Sequence, residues 1–299
     1  MLCGAAHAAY AVENGVQQYP VGATSDFIAS FPPIPGIFLL LQSSFSKANG
    51  IYDHNGDKES FPPFKTRAFS TTPRILISYP WTLPGGGHLY SQIVPPVVFL
   101  RTEIFGQKAN SSGLSNLDIS PVIISYNLPH HLTVASGIDL ILPTGSYSES
   151  KASAATGYMS YSPVFALRYN NPNGFDIGVS NRFLFNDTNT HTHYKSGNSY
   201  NADFIAGWNF GPLKLGVNGG YLTQFSHDSD NGITLPGKDI EYFTAGPMMA
   251  YSGKIAGKVP YTLNVNYNFG LSAHNSTKAN TLWFNIALPL FVPPPPVSN

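Results

Sequence analysis

Apolar residues recur in this chain at every second position, in runs long enough to cross a bilayer. Leu263, Val265, Tyr267 and Phe269 alternate with Asn264, Asn266 and Asn268. Tyr200, Ala202, Phe204, Ala206 and Trp208 alternate with Asn201, Asp203, Gly207 and Asn209, with Ile205 the exception. Leu213, Leu215, Val217 and Tyr221 alternate with Lys214, Gly216, Asn218 and Gly220. Phe175, Ile177, Val179, Phe183 and Phe185 alternate with Asp176, Gly178, Ser180 and Arg182. A β-strand sends successive side chains to opposite faces, so each run has one apolar and one polar face. No sustained i, i+3, i+4 pattern competes with it, and Gly and Pro interrupt every window.

Two architectures share this pattern. In a soluble sandwich the apolar faces meet each other; in an outer-membrane barrel they meet lipid and the polar faces line the lumen. Sandwich strands run about 5–6 residues, whereas several runs here continue for about 10, the length that crosses a bilayer at a tilt. Twelve strands are expected near 37–49, 64–79, 87–101, 114–126, 131–142, 157–169, 174–186, 198–210, 212–225, 240–251, 260–272 and 280–291. Long connections at 50–63, 102–113, 143–156, 187–197 and 226–239, with a shorter 273–279, alternate with short turns. Long loops on one side and short turns on the other mark an outer-membrane barrel, and an even strand number puts both termini on the periplasmic side.

Composition agrees. Charged residues make up 11%, and 16 basic side chains balance 16 acidic ones; an ordinary soluble domain has about 25% charged residues. The missing charge is not replaced by apolar residues alone, because mean hydropathy is −0.06. A chain with no net charge lacks the basic surface of a nucleic-acid binder. The 13% aromatic content argues against disorder, and no segment approaches the roughly 18 unbroken apolar residues of a transmembrane helix. The single cysteine, Cys3, excludes a disulfide framework within the chain and a Cys-based metal site.

The expected fold is therefore all-β: one antiparallel barrel of about 12 strands over 37–291 in the bacterial outer membrane, with the lipid bilayer as partner. Residues 1–11, with the small-x-small strings Ala6-His7-Ala8 and Ala9-Tyr10-Ala11, read as the remnant of a signal peptide. Residues 12–36 form a leader that tucks into the lumen or lies at the periplasmic mouth, and 292–299 a Pro-rich tail. Phe291 resembles the terminal aromatic read by the barrel-assembly machinery. Pro289, inside the same strand, fits an edge or a seam better than a central position.

Several strings, in order, carry a family resemblance: Glu13-Asn14-Gly15, PPIPG at 32–36, DHNGD at 53–57, NLDISP at 116–121, GIDLILPTGSY at 137–147, NPNGF at 171–175, TNTHTHYKSG at 188–197, LGVNGGYLTQFSHD at 215–228 and AGPMMAY at 245–251. Together they resemble the meta-pathway phenol-degradation proteins, over about residues 13 to 290. The chain departs where Thr192 and His193 precede Tyr194, a place where relatives tend to have an acidic residue, and where Ser226-His227 separates Gln224 from Asp228. The resemblance implies an outer-membrane barrel associated with catabolism of aromatic and other hydrophobic compounds. It implies a role in moving them across the membrane, and no catalytic chemistry.

Other motifs are weighed and set aside. His227-Asp228-Ser229 invites the reading of an outer-membrane enzyme acting on lipids, but a base and nucleophile need hydrogen-bond reach and the string reads first as a polar turn. Asp53 to Asp57 and Asp228 to Gly232 are similar to calcium loops but lack the closing Glu. His130-His131 and His191/His193 offer no clear third zinc ligand. Leu142-Pro143-Thr144-Gly145 lacks the helix and Lys of a phosphate loop. No catalytic residue, metal or cofactor is expected.

The informative set is the polar face: Asp139, Asp176, Arg182, Asp203, Lys214, Asn218, Gln224, Asn264, Asn266 and Asn268, together with Thr133. Arg or Lys facing lipid costs about 2–4 kcal/mol at mid-depth, so Arg182 and Lys214 should face inward, with Asp176 and Asp203 as partners. Such ions brace the lumen or line a solute path. The function expected is passive passage of small hydrophobic or aromatic molecules; the alternatives are the lipid-acting enzyme and a structural barrel with a blocked lumen.

Overall fold

The computed structural model describes residues 13, 17–148 and 153–294. The proposed signal-peptide remnant and the last five residues of the tail lie outside them. The strands are β1 (Gly36–Tyr52), β2 (Phe64–Leu83), β3 (Gly87–Val94), β4 (Val97–Ile104), β5 (Gln107–Leu114), β6 (Leu117–Leu128), β7 (Leu132–Leu142), β8 (Ser160–Asn170), β9 (Phe175–Asn186), β10 (Tyr194–Lys195), β11 (Ser199–Phe210), β12 (Leu213–Gln224), β13 (Asp228–Asp230), β14 (Ile233–Leu235), β15 (Glu241–Ile255), β16 (Val259–His274) and β17 (Ser276–Phe291). A 3-10 turn at Ser25–Phe27 precedes them.

Twelve of these strands close into a barrel in the order β1-β2-β3-β6-β7-β8-β9-β11-β12-β15-β16-β17, every pair antiparallel, with β17 returning to β1. Closure removes the free edges that an open sheet exposes. The two faces are inverted relative to a soluble protein. On β16, Tyr267 and Phe269 are exposed while Asn264, Asn266 and Asn268 are buried. Apolar side chains point out to lipid and amides point in, which decides for the barrel over the sandwich. Pro289 lies opposite Phe38 at the closing β1–β17 seam, past the last β16–β17 pair, Thr262 with Ala287. Its missing N–H therefore deprives β16 of nothing.

Several strands and connections differ from expectation. The segment 102–113 is not a loop: β4 turns back at Phe105-Gly106, both with positive φ, into β5, which pairs with β4 from Ile104–Gln107 to Val97–Leu114. The sequence Gln107–Leu114 has no alternation because neither of its faces is buried, so only backbone pairing makes it a strand. Pro95-Pro96 divides the expected 87–101 strand into β3 and β4, and the expected strand at 114–126 begins as the end of β5 and continues as β6. The segment 273–279 shrinks to a turn at Asn275, because β16 and β17 extend outward. The loops at 187–197 and 226–239 contribute a separate sheet, β10-β13-β14.

Candidate functional site: a leader-capped lumen

The chain before β1 lies inside the barrel, held by side chains of the wall. Asp203 on β11 accepts from the Tyr19 hydroxyl at 2.7 Å, Gly22 N at 2.7 Å and Thr24 N at 2.9 Å. Gly22 has φ +83, and a Cβ there would stand 2.7 Å from Asn268 Nδ2, so a larger residue would strain both backbone and wall. Ser25 Oγ lies 3.0 Å from Asn264 Oδ1 and 2.9 Å from Asn266 Oδ1. Gln42 Nε2 donates to the Ala23 carbonyl at 2.7 Å. Ile28 is fully buried against Ala135, Ala166, Ile205 and Met248.

Below these contacts sits a four-membered ionic cluster. Arg168 reaches Asp26 at 2.8 Å and Asp176 at 2.6 Å; Lys214 reaches Asp26 at 2.6 Å and Asp176 at 2.5 Å. Two cations and two carboxylates cancel, as buried charges must. Arg168 also donates to the carbonyls of Asp26 and Ile28, at 2.6 and 3.0 Å. Arg182 pairs with Asp139, which also accepts from Ser120 Oγ. Its guanidinium sits 4.2 Å above the Tyr19 ring, a cation–π arrangement.

The ten residues anticipated on the polar face, Asp139, Asp176, Arg182, Asp203, Lys214, Asn218, Gln224, Asn264, Asn266 and Asn268, are all at most 8% exposed. Thr133 is half-buried and bonded to Asn127 at 3.0 Å. Their pairing differs from expectation in two respects, the first being that Arg182 takes Asp139 as its carboxylate rather than Asp176 or Asp203. Asp203 contacts no cation within 4 Å among the described residues; its carboxylate is taken up by the hydroxyl and amides of the leader. Gln224 also stands apart, near the extracellular end, donating to Asp228 and accepting from Ile240 N, each at 2.6 Å.

Sequence reading missed Asp26, Arg168 and Arg74. The face Ser160, Ser162, Ala166, Arg168 of β8 carries the alternation that would have found Arg168. Arg74 lies opposite Leu40 and donates to Gln42 Oε1 at 3.2 Å and Gln92 Oε1 at 3.0 Å. No carboxylate lies within 4 Å of it among the described residues.

Between the leader and the periplasmic turns lies a cavity of about 700 Å³. Phe27, Phe31, Leu76, Ile123, Val164 and Ala166 contribute its apolar wall; Arg74, Gln92, Asp139, Arg168, Arg182 and Lys214 contribute its polar groups. It extends to Lys254, Pro260 and Pro289 at the strand ends. A dry cavity of about 150 Å³ is enough for benzene. On the outer side of Tyr19, the space among Gln18, Tyr158, Leu222 and Ile240 is only about 20 Å³. The seated leader thus separates a roomy inner chamber from a closed outer one.

The outer closure is a second polar assembly. Buried Glu13 accepts from Tyr147 Oη at 3.1 Å, Asn189 Nδ2 at 2.7 Å and Thr192 Oγ1 at 2.5 Å. Asp228 accepts from Gly197 N and Gln224 Nε2, each at 2.6 Å, and from the Tyr194 hydroxyl. Burial pushes the Asp228 carboxyl above its usual range, against the pull of those three donors.

The set-aside motifs resolve into structure. His227 Nδ1 contacts Asp239 at 2.8 Å, while Ser229 lies in β13 opposite Lys195 and Thr234; no hydrogen bond joins His227 to Ser229. Asp53 Oδ1 accepts from Asn55 N and Asp57 N, both at 2.9 Å, an Asx turn. Thr144 Oγ1 accepts from Leu117 N at 3.2 Å, tying the end of β7 to β6. His130 and His131, both with positive φ, form the β6–β7 turn. Among the described residues no cluster of three or more His, Cys, Asp or Glu is placed to hold a metal.

Comparison with solved structures places the fold. The COG4313 outer membrane channel from Pseudomonas putida F1 superposes with a TM-score of 0.74 at 16% identity, covering 88% of this chain and 98% of that one. The transport unit of the autotransporter AIDA-I from Escherichia coli gives 0.51 at 11% identity, covering 86% and 90%. No curated protein matches in sequence. The family model described as "Putative MetA-pathway of phenol degradation" matches residues 48–286, most of the barrel, and the chain belongs to that family.

Proposed function

We propose that this barrel conducts small hydrophobic or aromatic solutes passively across a bacterial outer membrane. The observation that carries the reading is the apolar-walled cavity of about 700 Å³ inside the barrel, beneath the leader. That volume lies within the range of about 300–1,000 Å³ usual for small-molecule sites, where apolar walls and a few polar groups set selectivity. A concentration difference drives flux, and no covalent step is required. The likeness to an outer membrane channel supports the same reading. In vesicles, the full chain should speed uptake of an aromatic solute from a broad panel; rates equal to empty vesicles across the panel would sink it.

The seated leader favours one rival, a barrel whose lumen stays blocked. Ser25 and Asn266 are hydrogen-bonded across the contact. Cysteines at both positions, in a Cys3→Ser background, would lock the leader. Flux that stops on oxidation and returns on reduction identifies a moving leader; flux indifferent to the lock shows that solutes pass around it. Phe291 is 56% exposed at the end of β17, where assembly machinery would read it. Phe291→Ala should lower the yield of folded barrel in membranes while leaving detergent-refolded protein unchanged.

A further inference from the structure

The outer end of the wall carries a row of cations on its outward face. The strand register sets Lys47 on β1 opposite Arg67 on β2, and Arg67 opposite Arg101 on β4. All three are exposed. Two residues nearer the membrane centre, Phe45 lies opposite Phe69 and Phe69 opposite Phe99, with exposures of 48%, 42% and 49%. Period two puts the cations on the same outward face as these rings, about 7 Å further out, and neighbouring strands about 4.8 Å apart give the row a width of about 10 Å. One step beyond, Lys65 and Lys108 flank Glu103.

Such a row has a cost. Like charges directly opposite one another on neighbouring strands repel. The chain has only 16 Lys and Arg, yet five of them collect in this sector. Among the described residues no carboxylate comes within 4 Å of Lys47, Arg67 or Arg101; the one contact nearby is Lys65 with Glu103 at 4.0 Å. Among the described residues the protein supplies no carboxylate that offsets this repulsion, and an anion from outside would do so. The row stands at the long-loop end, directly above lipid-facing aromatics, so it meets the headgroup level of the outer leaflet. Guanidinium groups bind phosphate in bidentate fashion, and ammonium groups bind it as point charges.

We propose that Lys47, Arg67 and Arg101 bind the phosphate groups of a phosphorylated lipid in the outer leaflet, whose acyl chains lie along Phe45, Phe69 and Phe99. The site is independent of the lumen and of the passage reading. The test uses the full chain in phosphatidylcholine nanodiscs with and without diphosphorylated lipid A, and native mass spectrometry to count retained lipid A. Wild type should retain it, and the triple variant Lys47→Gln/Arg67→Gln/Arg101→Gln at least about tenfold less. The charge-preserving Lys47→Arg/Arg101→Lys should retain it as wild type does, which separates charge from misfolding. Inorganic phosphate at millimolar concentration should not displace the lipid. Equal retention by the triple variant, no retention by wild type, or equal retention of a dephosphorylated lipid A would each overturn the proposal, as would displacement by inorganic phosphate alone.

Discussion

Two groups of three cations occupy the same wall under opposite conditions. Arg168, Arg182 and Lys214 face inward, are at most 8% exposed, and each contacts a carboxylate. Lys47, Arg67 and Arg101 face outward, are exposed, and contact none among the described residues. The difference follows from the medium. Inside, a deeply buried charge without a partner is costly, so these three cations are each built against a carboxylate, while the less buried Arg74 is held by Gln42 and Gln92. At the headgroup level, water and lipid phosphates supply the counter-charge, and the chain leaves the row unbalanced.

This contrast can be broken from both sides. The largest effect is expected for Asp176→Asn, which leaves Arg168 and Lys214 to share Asp26 alone; it should cost about 3–5 kcal/mol, as loss of one member of a buried ion cluster does, read by urea unfolding of the refolded barrel. Asp203→Asn removes the charge and one of the two oxygens that accept from the three leader donors, and should cost about 1.5–3 kcal/mol, the range for hydrogen bonds to charged groups. Its signature is an increase in single-channel conductance as the leader loosens. Asp26→Asn should act in the same direction, since it takes the leader's carboxylate charge from both cations and leaves Arg168 its bonds to the carbonyls of Asp26 and Ile28. By contrast, Arg67→Gln should move stability by no more than about 0.5 kcal/mol, with a slight gain as repulsion falls. A loss as large as that of Asp176→Asn would show that the outer row is structural.

The smallest effect concerns Asp53. Hydrogen bonds led by that from the Asp57 amide hold its carboxyl below the usual range. A depressed carboxyl stabilises the turn above its unfolded pKa, and that contribution disappears as pH falls through the lower folded value. Protection of the Asn55 and Asp57 amides, taken relative to the intrinsic exchange rate at each pH, should therefore fall only in strongly acidic solution. Loss of that protection already near pH 6 would contradict the assignment.

How much of this was legible in the sequence depends on where the determinants sit along the chain. The strands were, because period two is local: Asn264, Asn266 and Asn268 declare their face within five residues. The inward direction of Arg182 and Lys214 followed from the same period and from lipid's intolerance of charge. Asp176 followed as a partner of Lys214, whereas Asp26 did not, because Asp26 and Lys214 lie 188 residues apart and the leader has no alternation to orient it. Asp203 looked like a partner for a cation and instead binds backbone amides, a role that composition does not distinguish. β5 was read as a loop for the opposite reason: its determinant is the backbone of β4, and Lys108, Asn110 and Ser112 carry no sign of it.

The leader's attachment has a thermodynamic consequence. The last leader residue inside the cavity, Pro32, is separated from Gly36 at the start of β1 by three residues. The seated segment is therefore a ligand tied to its own receptor. A short tether holds an effective concentration of about millimolar or more. At that concentration, an intrinsic affinity near millimolar already keeps the leader seated about half the time. Each contact made by Asp203, Asp26 and Ser25 thus raises an occupancy that covalent connection has already made substantial, and a displaced leader would return by an intramolecular step whose equilibrium is independent of protein concentration.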